Sequence, residues 1–240
     1  RLGYGNVDII LFTGDAYVDH PSFGAAVIGR VLQAQGYRVA VVPQPNWRDD
    51  LRDFKKLGVP RLFFGVTSGN MDSMVNHYTA ARRLRSNDAY TPGGKAGMRP
   101  DYAVTVYTRI LKQLYPNVPV VLGGIEASLR RLTHYDYLTD TLKPSVLIDS
   151  GADYLVYGMG ERPIVDLAKK LREHAAVDEI RKIPQIAYLA AWPEEISCVP
   201  EKILYLPSHT ECLNSKKQFA EHFSCLLYTS PSPRDRTRSR

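Results

Sequence analysis

The chain has 240 residues, of which 44% are hydrophobic and 23% are charged. This length and composition predict one main domain with a sizeable core and room for a small appendage. No apolar run approaches the roughly 18–20 residues that a membrane span needs, and no basic segment leads into an apolar signal core at the start. We therefore expect a cytoplasmic protein without a membrane partner.

The net charge of +6 raises nucleic acid as a partner, but the charge is unevenly distributed. Residues 225–240 carry four Arg and one Asp, whereas residues 1–224 hold 27 basic and 24 acidic side chains, a balance that makes no strong case for nucleic acid. The string CLLYTSPSPRD resembles the translation of a transposase adapter used to prepare sequencing libraries. We expect residues 225–240 to be a non-native, disordered tail, and we expect natural sequence to precede Arg1.

Apolar strand-like runs alternate with helix-like stretches along the chain, beginning with the strand VDIILFT that Gly14 ends. Ser22 is the expected N-cap of the first helix. The predicted strands cover residues 7–13, 38–42, 61–66, 118–122, 154–157 and 185–190. The predicted helices cover residues 23–35, 49–57, 70–85, 102–115 and 161–174. Residues 86–101 form a long loop with three Gly and two Pro, a length typical of functional or mobile loops.

This alternation predicts a doubly wound α/β fold, a Rossmann-like, mainly parallel sheet with helices on both faces. Such sheets bind ligands in the crevice beyond the carboxyl ends of their strands. The four loops expected at that rim cover residues 14–21, 67–70, 123–128 and 158–161. Gly14, Gly123 and Gly158 follow strands directly, where the missing Cβ lets backbone amides approach a flat or phosphorylated ligand, although glycine also ends strands for purely structural reasons.

Several polar residues lie on the same predicted rim. Asp15, Asp19 and His20 share the first loop, where they form either an acid/base or ligand group or a capping and turn cluster. Glu126 and Glu161 follow the third and fourth loops' glycines, so two carboxylates are candidates for the rim. Glu161 also suits the first turn of its helix, because negative charge there complements the helix dipole.

Common catalytic and nucleotide-binding motifs are missing. The sequence has no G-x-x-x-x-G-K-[ST], no G-x-S-x-G, and only a weak dinucleotide fingerprint, since Pro163 stands where the last glycine belongs. The spacing of Cys198, Cys212 and Cys225 fits no common zinc or iron–sulfur pattern. We therefore expect no metal site and no catalytic residues in this chain.

Four segments carry a resemblance to a known family: GDAYVDHPSFGAAVIGRVLQAQGYRV from Gly14, FFGVTSGNMDSMVNHYTAARRLRSNDAYTPGG from Phe63, GGIEASLRRLTHYDYLTD from Gly123 and GMGERP from Gly158. Together they closely resemble the N-terminal region of YgiQ-type radical SAM proteins over residues 7–215. The glycine-containing turns also look like a cobalamin-binding-type Rossmann domain. That wider resemblance places Thr67, Ser68, Gly123 and Gly124 against a corrin and its nucleotide tail.

The resemblance implies a larger protein. The full-length parent would carry a 4Fe-4S cluster and S-adenosylmethionine in a radical SAM barrel, the partner of this domain in the same chain, and would act on an unknown small molecule. The cluster motif C-x-x-x-C-x-x-C is absent here. We expect residues 1–178 to form the Rossmann-like domain and residues 179–224 to begin the connection to the barrel.

Two points stay open on the sequence alone. Cobalamin proteins that ligate cobalt use D-x-H-x-x-G, whereas here His20 directly follows Asp19, so we expect any corrinoid to bind without His20 as its lower ligand. The alternative to an accessory domain of a radical SAM enzyme is a free-standing Rossmann-like module that binds a small molecule or a corrinoid without catalysis.

Overall fold

The computed structural model describes residues 7–16, 23–191 and 204–229. Its main feature is a six-stranded sheet with the strand order β2-β1-β3-β4-β7-β8, beside a two-stranded β5–β6 hairpin. The strands are β1 (Ile9–Thr13), β2 (Val39–Pro43), β3 (Phe63–Thr67), β4 (Val120–Leu122), β5 (His134–Asp136), β6 (Thr141–Lys143), β7 (Tyr154–Val156) and β8 (Ile186–Tyr188).

The sheet is parallel except at one edge. β1 pairs in parallel with both β2 and β3, and the parallel order continues through β4 to β7, where β8 adds an antiparallel edge strand. Because the chain leaves β1 first toward β2 and then returns to the other side as β3, the strand order reverses between β1 and β3. The predicted doubly wound, mainly parallel α/β fold is confirmed.

Helices cover both faces of the sheet. They are α1 (Gly24–Ala34), α2 (Arg52–Lys55), α3 (Ser73–His77), α4 (Ala103–Leu114), α5 (Gly124–Leu129), α6 (Val146–Ser150), α7 (Glu161–Arg172), α8 (Val177–Arg181), α9 (His209–Asn214) and α10 (Lys216–Thr229). Alternate residues of β1 enter different cores, since side chains of a strand point to opposite faces. Ile10 and Phe12 pack in the core that contains residues of α2, α4, α5 and α6, whereas Ile9 and Leu11 pack with α1, α7 and α8.

The largest departure from the predicted elements lies after β3. The helix predicted over residues 70–85 is reduced to the single helix α3, because Asp72 caps its start and Tyr78 is already extended. Bridges between Tyr78 and Leu84 and between Asn87 and Lys95 then organise the chain up to α4. The β5–β6 hairpin was not predicted. Ser22 lies outside the described residues, and the N-cap position of α1 is Phe23.

Two elements lie at or beyond the domain boundary expected at residue 178. α8 spans that residue and β8, which pairs with β7, follows it, while the division into a sheet domain and a connection stays a prediction. α10 runs to Thr229, past residue 225 where the sequence predicts a disordered tail to begin, while residues 230–240 lie outside the described part of the chain. Within the described residues, no helix has the length and apolar character needed to cross a membrane.

Candidate ligand-binding site

A cavity of about 380 Å³ opens at the carboxyl ends of the parallel strands, between the sheet and helices α1 and α7. This position is the one where open α/β sheets bind ligands. Its floor is formed by Leu11, Gly65 and Val121 from three neighbouring strands. Ile28 of α1 and Ile164 of α7 form its walls.

Glycines surround the mouth of this cavity, and they differ in why glycine is needed. Gly124 has φ +83°, and a Cβ there would lie 2.4 Å from Thr67 Oγ1, so both conformation and space exclude a side chain. Gly123 is extended at φ −157°, and an added Cβ would meet only Val156 O at 3.9 Å. Gly123 therefore has room for a Cβ at the cavity that it lines.

The structure brings together five of the eleven residues predicted at the rim. Thr67, Gly123, Gly124, Gly158 and Glu161 line the cavity, whereas the lining does not include Gly14, Asp15, Ser68 or Glu126. Asp19 and His20 lie outside the described residues, so the predictions about them stay predictions.

Asp15 is held in a buried ion pair. Arg99, which is 1% exposed, places Nη1 2.9 Å from Asp15 Oδ1 and donates from the same nitrogen to Ser68 O at 2.9 Å. Its Nε and Nη2 donate to Asp88 at 3.1–3.2 Å. Burial raises the pKa of Asp15, while the Arg99 charge opposes that rise. Asp15 thus fastens the loop of residues 86–101 to the ends of β1 and β3.

Close backbone approach completes this junction. The Asn70 amide donates to Asp15 Oδ2 at 2.6 Å. A Cβ on Gly69, whose φ is +107°, would lie 2.2 Å from Asp15 Oδ1, and a Cβ on Gly14 would lie 2.2 Å from Ser68 O. Gly14 therefore serves the packing of the β1 and β3 ends rather than the cavity.

Glu126 faces the opposite side of the sheet. Its carboxylate is 1% exposed and accepts hydrogen bonds from the amides of Ser73 at 2.8 Å and Val104 at 3.1 Å, near the starts of α3 and α4. Arg130 Nη1 lies 3.7 Å from it and also bonds to Asp72. Burial raises the pKa of Glu126, and the charge of Arg130 opposes this rise. Its contacts tie two helices together.

A second polar cluster joins the β5–β6 hairpin to α4. Asp136 accepts hydrogen bonds from Tyr102 Oη at 2.7 Å and from Thr139, and Lys143 Nζ lies 3.1 Å away. Burial by itself would raise the pKa of Asp136, but the bonds from Thr139, Tyr102 and Lys143 outweigh it and lower the pKa to about 2. This cluster lies apart from the cavity lining.

The sequence analysis predicted neither the contribution of α1 to the cavity wall nor the buried position of Arg99. Gly65 could have been identified from the sequence, because a glycine inside a predicted strand indicates that another group packs closely against the backbone. In the structure a Cβ on Gly65 would lie 2.5 Å from Leu11 Cδ2. Arg99 left no local signal, because its two carboxylate partners are distant in the sequence or lie in an irregular loop.

The described residues do not fit an iron–sulfur cluster. They contain no group of three or more His, Cys, Asp or Glu side chains arranged to hold a metal ion. Cys212, the one cysteine whose side chain is described, is buried and free. A cluster of this type needs three or four thiolates.

The fold is that of a Rossmann-like α/β domain with a cavity at the carboxyl edge of its sheet. The family described as "Radical SAM N-terminal" matches residues 1–237, and the chain belongs to this family. The predicted relationship to YgiQ-type radical SAM proteins is confirmed by its relatives. A UPF0313 protein of Porphyromonas gingivalis is 63% identical over 222 residues, and UPF0313 protein YgiQ of Escherichia coli K12 is 58% identical over 189 residues.

These relatives are much longer than the chain. The alignments cover 92% and 79% of this chain but only 35% and 25% of the two relatives. Among solved structures, the radical S-adenosylmethionine methyltransferase TsrM from Kitasatospora setae, bound to tryptophan and a SAM analogue, matches with a TM-score of 0.50. That match has 20% identity and covers 76% of this chain and 28% of TsrM, so it supports the fold alone.

Proposed function

We propose that the chain is the N-terminal accessory domain of a radical SAM iron–sulfur enzyme, and that its cavity binds a small molecule used by the catalytic part. The observation that carries this proposal is the cavity of about 380 Å³ at the carboxyl edge of the sheet. Its volume lies in the range of small-molecule sites, and its apolar lining suits a ligand that buries apolar surface on binding. Family membership supplies the class of enzyme.

The cluster and S-adenosylmethionine are assigned to the part of the polypeptide that the longer relatives carry beyond this region. The sequence has three cysteines and no C-x-x-x-C-x-x-C, so no chemical step is assigned to residues of this chain. Its partner in this proposal is the radical SAM barrel of the same polypeptide. Residues after the sheet domain would form the connection to that barrel.

The same cavity supports a second candidate, a module that binds a corrinoid without catalysis. In this candidate the corrin ring lies against Gly123 and Gly124 at the mouth, where the absence of side chains allows a close approach. Thr67 would border the same ligand. In this candidate His20 is not the lower ligand of cobalt, as its spacing predicts.

Gly123→Val tests whether the cavity binds a ligand. Hydroxocobalamin is titrated into the wild-type chain and the variant by visible absorption, and the variant is expected to bind at least about tenfold more weakly because a branched side chain projects over the mouth. Circular dichroism should stay native, since Gly123 is extended. Ala80→Val places a valine at an exposed position outside the cavity and serves as the control.

The outcomes separate the two candidates. Equal binding by wild type and Gly123→Val would remove the corrinoid from this cavity. No binding by the wild type would exclude the corrinoid module. In a full-length relative with a reconstituted cluster, the counterpart of Gly123→Val should then lower substrate-dependent cleavage of S-adenosylmethionine, and unchanged cleavage would overturn the accessory role of the cavity.

A further inference from the structure

The cavity has two chemically different zones. Its depth is lined by apolar side chains of the strands and of α1 and α7, among them Leu11, Val121 and Ile164. Its mouth presents the backbone of glycines and three polar side chains, those of Thr67, Asn70 and Glu161. A ligand that matches both zones has an apolar body for the depth and a polar group at the mouth.

Glu161 is the only charged residue in this lining, and no Lys, Arg or His appears there among the residues that the structure describes. Phosphate and carboxylate ligands are normally recognised by such cations, most often Arg. A carboxylate without a neighbouring cation instead repels an anion and attracts a cation or an N–H donor.

The carboxylate of Glu161 is also available for a ligand. Glu161 is the first residue of α7 and is half-buried, and no hydrogen bond or ion pair links its side chain to a described residue. The start of α7 receives no side-chain capping bond. The helix dipole favours a negative charge at this position, but it does not consume the hydrogen-bonding capacity of the carboxylate.

We propose that the cavity selects a mainly apolar molecule bearing a cationic or N–H donor group, that Glu161 recognises this group, and that ligands with an anion at the mouth are rejected. This inference rests on the proposed ligand-binding function and adds the chemical class of the ligand. It makes Glu161 the specificity-determining residue of the cavity. The dipole role of Glu161 predicts no such selectivity.

Three probes of one shape test the proposal: 2-naphthamidine, 2-naphthamide and 2-naphthoate, which are cationic, neutral and anionic at pH 7. Their affinities for the 240-residue chain are measured by ligand-observed NMR titration. We expect the amidine to bind about tenfold more tightly than the carboxylate, with the amide between them, as for a partly exposed charge. In Glu161→Gln the affinities for the amidine and the carboxylate should become nearly equal, and in Glu161→Lys the carboxylate should bind more tightly.

Glu173→Gln is the matched control, because Glu173 is an exposed acid at the opposite end of α7 and does not line the cavity. It should keep the wild-type ranking. A ranking that favours naphthoate, or one that Glu161→Gln leaves unchanged, overturns the assignment of Glu161 while the cavity remains a ligand site. Failure of all three probes overturns the proposed ligand class, and binding that Gly123→Val does not weaken places the probes outside the cavity.

Discussion

Arg99 is a full charge in the protein interior, and it is neutralised by one carboxylate of its own loop and one from another segment. Asp15 lies two residues after β1, Asp88 lies in the long loop of residues 86–101, and both side chains are 1% exposed. A buried ion pair adds little net stability as a whole, but removing one partner leaves the remaining charges without compensation. Arg99 therefore matters mainly through the carboxylates that it neutralises.

Arg99→Met should lower the free energy of unfolding by about 3–5 kcal/mol, because it leaves Asp15 and Asp88 buried and unpaired. Urea unfolding followed by circular dichroism measures the loss. The control is Arg83→Met, which removes an exposed arginine of a neighbouring loop and should change stability by less than about 0.5 kcal/mol. Equal effects of the two variants would contradict the structural role of Arg99.

Asp136 should make folding sensitive to acid. Its pKa is lowered to about 2 in the folded protein, so its stabilising contribution is complete above the ordinary aspartate pKa of 3.8 and is lost as the pH falls through 2. The free energy of unfolding of Asp136→Asn should therefore change less between pH 4 and pH 2 than that of the wild type. Urea unfolding at each pH measures both. Asp50→Asn, at an exposed site, should retain the wild-type dependence.

The residues of the site were predictable only where local geometry decided them. The glycines at strand ends could be placed from the sequence, since a parallel sheet brings the carboxyl ends of its strands to one edge. The surroundings of Asp15 and Glu126 could not, because their partners Arg99, Ser73 and Val104 come from other segments. Both carboxylates pair with backbone amides or charged side chains that are distant in the sequence.

At the scale of elements, long periodic helices and apolar strands were predicted, and short elements were not. The helices predicted over residues 102–115 and 161–174 correspond to α4 and α7, whose apolar residues repeat at helical spacing. α3 was predicted too long, since the sequence does not show that the chain turns into an irregular excursion after His77. The three-residue strands β5 and β6 are too short to produce an alternating pattern.

The sheet should exchange its amide hydrogens unevenly. All five residues of β1 are buried and β1 is paired on both sides, whereas β2 and β8 are edge strands with mostly half-buried residues. Opening of an edge strand breaks fewer contacts than opening of a central one. Hydrogen exchange by mass spectrometry should show β1 and β3 as the slowest segments, and a slower β8 would contradict this order.

For the whole molecule, the chain alone should not assemble an iron–sulfur centre. Its three cysteines lack the C-x-x-x-C-x-x-C spacing, and Cys212 is buried, so we expect them not to hold a [4Fe-4S] cluster. After reconstitution with iron and sulfide, the monomer should show no stable visible absorption from an iron–sulfur cluster. A stoichiometric cluster in the monomer would contradict this expectation and would require ligands outside the described residues.

Two truncations test the carboxyl terminus. Removal of residues 230–240, and also removal of residues 225–240, should leave the thermal midpoint unchanged within error, because the composition of this segment predicts little burial. The longer truncation also removes the last five residues of α10. A loss confined to the longer truncation would show that this end of the helix contributes to packing.

The buried Arg99 also constrains the order in which the protein assembles. Its site does not exist until β1 and β3 are paired, because Asp15 and the Ser68 carbonyl that it contacts come from the ends of these two strands. Before that pairing, the guanidinium is better solvated by water than by any single partner. The loop of residues 86–101 should therefore dock after the central strands have formed, so that substitution of Arg99 accelerates unfolding far more than it slows folding.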